Sequence, residues 1–259
     1  MKKVSSWDGK QYKENSSPQE SSAMQLISSI SFSGDEHVLD IGCGDGKITH
    51  KIREFIPHGK IIGIDTSDSM LEEARKHNKD NLFFYEKSAH DFSFNDRFDY
   101  VFSFHTLHWV KDKVQVFKNV RNHLKPTGKF IFITSGRGNE TISNVFSSEK
   151  WKSIIEQNGQ KYHSTDSDQI KSMISEAGLS AEKLEADYWS KFYSDKTDLI
   201  KWLMTWVPYA TGLNKDDSMF FSEEIAENML QESLRNGIKN GIEFKTEMLS
   251  IEAVIEKSR

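Results

Sequence analysis

The chain has 259 residues, with 34 Lys plus Arg against 39 Asp plus Glu and a net charge of −5. That length suits one α/β domain with an inserted cap and buries a sizeable core, while the acidic balance, without any long Lys/Arg run, argues against nucleic acid or an anionic membrane surface as partner. No stretch nears the ~18 apolar residues of a membrane span, the opening residues lack the apolar segment of a secretion signal, and Cys43 is the single cysteine, so an intrachain disulfide is excluded; the expectation is a cytoplasmic monomer or weak homodimer acting on a small molecule.

Residues 1–18 are polar apart from Trp7 and Tyr12 and read as a lead-in. A helix is expected from Pro18, with Met24, Ile27 and Ile30 near one face. His37-Val38-Leu39-Asp40-Ile41 is a short apolar run that stops at glycines, the pattern of a buried strand. A helix over 47–55 ends at Pro57 and Gly59. A strand follows over 60–65, then a helix from Ser67 or Asp68 to about His77, with Glu72 and Glu73 in its first turns where the helix dipole favours them. Further strands are expected over 81–85, 98–103 and 129–134, with a helix over 110–124 before the last of these. Apolar strands alternating with amphipathic helices mean a parallel sheet covered on both faces.

The composition changes after Ser135. Residues 137–160 read as a loop with a short helix, 166–177 as a helix closed by Gly178, and 185–193 as a strand. Residues 195–240 are helical and rich in aromatics, with Trp202, Trp206 and Tyr209 at i, i+4 and i+7 on one expected helix face. Residues 242–255 read as a long edge strand. Three parts follow: an N-terminal segment 1–36 over the ligand site, a core of 37–194 and 241–259, and a helical cap of 195–240 over an acceptor pocket.

Gly42, Gly44 and Gly46 follow a buried strand and precede a helix. Lacking a β-carbon, they permit a sharp turn and close approach of a ligand to backbone, and the helix N-terminus adds N–H donors. A dinucleotide fingerprint would place its third glycine at position 47, which is Lys47; this disfavours a nicotinamide oxidoreductase. Asp65 ends the next strand, twenty-one residues past Gly44, where a carboxylate can accept both hydrogen bonds of a ribose diol.

These segments resemble the class I S-adenosylmethionine-dependent methyltransferases over about residues 12–135. Val38–Gly46 is similar to their first motif and Gly63–Leu71 to their second. Phe98–Ser103 with Leu107-His108-Trp109 is similar to the fourth-strand motif, and Leu124–Lys129 to the turn into the fifth strand. The resemblance implies a doubly wound, Rossmann-like seven-stranded sheet, mostly parallel with an antiparallel edge strand, plus a helical cap late in the chain. It implies S-adenosyl-L-methionine as cofactor, held by Tyr12, Asp40, Gly42, Cys43, Gly44, Asp65, Thr66, Met70, Ser103 and His105. Ser88 stands where many members have an acid that reaches the adenine, so Ser88, Ala89 or Asp91 takes that place. Within the class the chain is most like the juvenile hormone acid and trans-aconitate methyltransferases, with the malonyl-carrier-protein methyltransferases a looser match. Tyr12, Gln19 and Leu26 and the run Phe102–Val110 carry this resemblance.

Those groups make methyl esters of carboxylic acids. A carboxylate is already ionised at neutral pH, so in-line transfer needs alignment and exclusion of water more than a strong base. The resemblance implies Gln19 and Trp109 as acceptor contacts; Trp206 belongs to the aromatic lid expected over the pocket. His108 is the candidate general base. His105 and His108 lie three apart, but no carboxylate or cysteine stands at ligand spacing beside them, so no metal is expected. Cys43 reads as a small packing residue and Asp99 as a brace at a strand end. The alternatives are a small-molecule N- or O-methyltransferase with a non-carboxylate acceptor, or a non-catalytic protein that binds the cofactor.

Overall fold

Seven strands form one sheet in the order β3-β2-β1-β4-β5-β7-β6 in a computed structural model that describes residues 17–77 and 80–256. The strands are β1 (His37–Ile41), β2 (Lys60–Asp65), β3 (Leu82–Glu86), β4 (Phe98–Phe104), β5 (Leu124–Ser135), β6 (Leu179–Tyr193) and β7 (Ile242–Ile255). β1 to β5 pair in parallel, while β7 runs antiparallel to both β5 and β6. The expected Rossmann-like class stands, with one correction to β7. It lies inside the sheet, because β6 extends over fifteen residues and takes up the free hydrogen-bonding edge of β7.

The helices are α1 (Ser17–Ser28), α2 (Lys47–Phe55), α3 (Asp68–Ala74), α4 (Lys113–His123), α5 (Glu140–Ser147), α6 (Glu149–Asn158), α7 (Ser167–Glu176), α8 (Lys196–Leu203), α9 (Val207–Thr211) and α10 (Lys215–Arg235). The segment 137–160, expected as a loop with one short helix, forms α5 and α6. α5 starts at Asn139, whose side chain accepts from the Ile142 N–H, and α6 follows Ser148, whose hydroxyl donates back to the Val145 carbonyl at 2.9 Å. α7 begins with a capping box in which Asp166 and Gln169 satisfy each other's backbone N–H.

Apolar side chains on the two sheet faces make two cores. One holds Leu39, Ile41, Phe117, Phe130 and Phe132 under α4 and α7. The other holds Val38, Ile52, Ile61, Phe84 and Phe102 with Ala23 and Ile27 of α1. A third cluster knits α5, α6, α8 and α10 to the ends of β6 and β7 through Trp151, Leu199, Phe221 and Phe244. The order of the parallel strands reverses between β1 and β4. In such sheets, ligands bind in the crevice outside the strands' carboxyl ends at this point, and the large cleft opens there.

Phe130 is fully buried, with its ring 4.6 Å from Phe132 and 5.6 Å from Phe117. Phe130→Ala removes this packing at the centre of the sheet. It should lower unfolding stability by about 3–5 kcal/mol in urea titrations; a loss below about 1 kcal/mol would contradict this account of the core.

Candidate active site

The glycine loop hangs from the end of β2. Gly42 and Cys43 both donate their N–H to the Ile64 carbonyl, at 2.8 and 3.0 Å, and Gly46 donates to Cys43 at 3.0 Å. Gly42, Gly44 and Gly46 all have left-handed backbone, at φ of 73°, 54° and 76°, where a β-carbon is strained. A β-carbon on Gly42 would also lie 2.1 Å from the Thr106 hydroxyl, whereas one on Gly44 meets no atom within 4 Å. Gly44 therefore faces open space in the cleft, and its bare backbone forms a cradle that a side chain would fill.

Asp65 closes this cradle. One carboxylate oxygen accepts from the Gly44 N–H at 3.0 Å and the other from the Ser67 N–H at 2.9 Å. Burial raises its pKa, opposed by these backbone hydrogen bonds. Thr66, Ser67 and Met70 continue the wall into α3. Behind the loop, Asp40 is 2 % exposed and accepts from the Thr49 hydroxyl at 2.6 Å. Burial, with a smaller contribution from the Asp65 charge, pushes its pKa up to about 7. Cys43 is buried against Gly63 and Phe84, and burial pushes its thiol pKa well up.

The cleft has a volume of about 970 Å³, at the upper end of the range for ligand pockets. Of the residues singled out from sequence, Gly42, Gly44, Asp65, Thr66, Met70, His105, His108, Trp109 and Trp206 line it. Asp40, Cys43, Ser88, Ala89 and Ser103 lie outside its lining. Ser103 is fully buried and donates to the Ile41 carbonyl at 3.0 Å, tying β4 to β1. The Ser88 hydroxyl accepts from the His90 N–H at 3.2 Å, and the Ala89 carbonyl accepts from Asn119 at 3.4 Å. Tyr12 lies outside the described residues, as does the side chain of Gln19.

α1 supplies Ser22, Gln25 and Leu26 to the cleft wall, and Ser29 follows directly after it. Ser22 is hydrogen-bonded to His105 Nε2 at 3.0 Å. His105 has left-handed backbone at φ 55°, and burial lowers its pKa to about 4. His108 is 7 % exposed. Burial, aided by His105 and the Lys113 charge, lowers its pKa to about 3. Its Nδ1 stands 3.5 Å from the Ser135 N–H, a long contact that favours the tautomer with the proton on Nε2. Both rings are therefore neutral at physiological pH, and His108 is a poor base. Asp99 braces the strand ends, accepting from the His37 N–H at 2.8 Å and from Lys125 at 2.7 Å.

Beyond the histidines the cleft widens into an aromatic chamber. Trp109 meets Tyr162 at 5.6 Å and Tyr209 at 5.4 Å, both edge to face. Trp206 sits between Tyr162 at 6.1 Å and Trp202 at 5.7 Å. Phe244, Thr246, Met248 and Ser250 of β7 with Trp189 of β6 make the floor. Trp202, Trp206 and Tyr209 do not share one helix as expected. α8 ends at Leu203, and Trp206 is the N-cap of α9, in whose first turn Pro208 stands; the three rings still converge on the chamber. Phe221 packs in the cap, while Phe220 is 59 % exposed. Tyr162 was missed from sequence, since it lies in an irregular segment that no periodicity marks; Thr106 and the α1 residues carried no signal beyond their neighbours. Among the described residues, no group of three or more His, Cys, Asp or Glu could hold a metal ion, and no helix is long and apolar enough to cross a membrane.

Residues 32–178 match the family model described as a methyltransferase domain. Juvenile hormone acid O-methyltransferase of Bombyx mori is 27% identical over 64% of this chain, which spans 64% of that protein. Trans-aconitate 2-methyltransferase of Escherichia coli O1:K1 / APEC is 25% identical over 81% of this chain and 80% of its own length. Among solved structures, geranyl diphosphate C-methyltransferase from Streptomyces coelicolor A3(2), solved with S-adenosyl-L-homocysteine, superposes with a TM-score of 0.57 over 94% of this chain and 80% of that one, at 15% identity.

The raised pKa of Asp40 makes a signed prediction. The folded state holds this proton more tightly than the unfolded chain, so Asp40 contributes stability in acid that falls away as pH rises from about 4 to about 7. Asp40→Asn keeps an acceptor for Thr49 and never ionises. It should raise stability at pH 8 by on the order of 2 kcal/mol relative to the parent and much less at pH 4. Thermal melts at the two pH values check this; equal effects at both would contradict it.

Proposed function

The chain belongs to the methyltransferase-domain family and is an S-adenosylmethionine-dependent methyltransferase, and on that footing we propose that it methylates the carboxylate of a small or lipid-like acid. One observation carries the reading. The cleft runs without a break from the glycine cradle at Gly44 and Asp65 to an aromatic chamber whose histidines are neutral. Two relatives named for acid methylation agree with it.

The residues present fit the cofactor, because the space over Gly44 is open and a buried carboxylate stands at the end of β2. When bound, S-adenosylmethionine supplies a methyl group already activated on a sulfonium. In this reading Gly42 and Gly44 hold the cofactor's methionine end, with Cys43 packed behind them to keep the loop in place and Asp40 as a negative charge behind the loop. Asp65 and Thr66 hold the ribose, and Met70 packs on the adenine. Ser88 and Ala89 flank the adenine side, Tyr12 and His105 close the site, and Ser103 braces β4 against β1 from behind the wall. Gln19, Trp109 and Trp206 contact the acceptor, beneath a cap that includes 195–240. A carboxylate acceptor arrives ionised, so no residue has to remove a proton, in keeping with a His108 whose pKa is about 3. The chamber's work is to exclude water and align the attacking oxygen.

A second reading has one specific support. Glu185 and Asp187 line the outer cleft near the aromatic walls, a setting that also suits an amine through cation–π attraction. Methyl-labelled cofactor with a panel of acids, amines and phenols separates the two. Label in base-labile, volatile methanol supports the ester; base-stable product from amines or phenols alone overturns it.

Two substitutions probe the cradle by calorimetric titration with S-adenosylhomocysteine. Asp65→Ala should weaken binding by about 1–3 kcal/mol through lost hydrogen bonds. Gly44→Ala should fold, at a cost of about 1–2 kcal/mol from left-handed strain, yet lose affinity because its methyl group occupies the cradle. Unchanged affinity in both variants would remove the loop from the site.

A further inference from the structure

The reading of the protein as an acid methyltransferase leaves open what grips the acid in a chamber of aromatic rings. Among the described residues that line the cleft, Trp206 is the one with a buried side-chain polar atom, its indole Nε1, that has no hydrogen-bond partner. Leaving such a donor buried and unpaired is costly. The His108 ring, also in the lining, turns its Nδ1 toward the Ser135 N–H and so has an Nε2–H to offer. Both rings touch Tyr162, His108 at 5.5 Å and Trp206 at 6.1 Å between centroids, so the two rings meet at one wall of the chamber.

The cations that line the cleft lie in its outer part. Lys183 and Lys191 line the outer cleft on β6. Lys183 pairs with Glu185 at 3.0 Å, and Lys191 lies over the Tyr193 ring at 4.9 Å. The Lys161 ammonium rests on Tyr209 at 4.1 Å. Lys113 donates to the Val110 and His163 carbonyls, each at 2.9 Å.

We infer, building on the acid reading, that the Trp206 indole N–H and the His108 Nε2–H are the neutral donors that position the acceptor carboxylate, and that they select acids with one carboxylate on an apolar body. Two neutral donors stabilise one negative charge by charge-assisted hydrogen bonds. They offer nothing to a second carboxylate held inside the aromatic chamber, away from Lys183 and Lys191 of the outer cleft, where it would lie desolvated without a counter-charge. They also turn N–H groups toward a cationic amine, which has no lone pair to accept them. Trp206 and His108 are thus positioning and specificity residues, with no proton transfer assigned to either.

The test uses the full chain with decanoate and its two-headed counterpart decanedioate. At position 206, benzothienylalanine replaces the indole N–H with sulfur and keeps the ring shape, and Trp206→Phe serves as a second variant. The parent should prefer decanoate over decanedioate at least tenfold in kcat/KM. Loss of the N–H should raise KM for decanoate about 10- to 100-fold with a smaller change in kcat, and should narrow that preference. His108→Gln, which keeps an N–H donor, should retain more affinity than His108→Leu. A second readout does not depend on turnover. With S-adenosylhomocysteine present, the Trp206 indole ¹H–¹⁵N resonance, assigned by its loss in Trp206→Phe, should move downfield on adding decanoate and stay in place with decanol. A resonance that ignores decanoate, or an unchanged KM in the benzothienyl variant of an enzyme that does esterify acids, overturns the assignment of the donors. Transfer by the parent to amines or phenols and to no acid overturns the acid reading itself, and this inference with it.

Discussion

Everything at the site depends on one short piece of backbone held at the end of β2. The Ile64 carbonyl takes two N–H donors from the glycine loop, and the Asp65 carboxylate takes the next. These bonds fix three residues in left-handed backbone, a conformation that glycine adopts without strain. Thr106 then fills the space a side chain on Gly42 would need, and so couples the loop to the turn after β4. Because Thr106 leads directly into His108 and Trp109, the position of the cradle and the position of the acceptor chamber are set by the same contact.

Acidic groups gather about the glycine loop, while the middle of the cleft is neutral. Three acids, Asp40, Asp65 and Asp45, cluster about the loop, and the first two are raised in pKa by burial. Carboxylates that are costly to ionise become easier to ionise when a cation sits beside them, which matches a ligand that carries positive charge. Further along, the histidines are buried and neutral, and the walls are aromatic. Water is displaced by rings that offer few polar groups, so those that remain carry the selectivity.

The cap makes this arrangement possible and is built with its own core. Trp151, Phe221 and Phe146 pack edge to face, independent of the two cores on the sheet. The long pairing of β6 with β7 carries the sheet out beneath the cap and supplies the floor of the chamber. The likeness to a solved geranyl diphosphate C-methyltransferase at 15% identity is a likeness of scaffold.

What the sequence determined by itself was local. The period of the apolar runs marked β1 to β5 and the helices between them, since burial on one or both faces imposes that period. The spacing from Gly44 to Asp65 marked the cradle, because a strand–loop–helix–strand unit fixes that distance along the chain. Cap helices α5 and α6 were less legible, since their apolar positions are few and answer to a partner distant in sequence. Tertiary structure alone decided three matters. It put β7 inside the sheet, since which strand takes an edge depends on pairing between segments far apart in the chain. It kept Asp40, Cys43 and Ser103 behind the cleft wall, since motif membership does not say which way a side chain turns. And it brought Tyr162, Trp109 and the pair Trp206 and Tyr209 together from three separate segments, a convergence that no periodicity encodes, because it is fixed by the packing of the cap on the sheet.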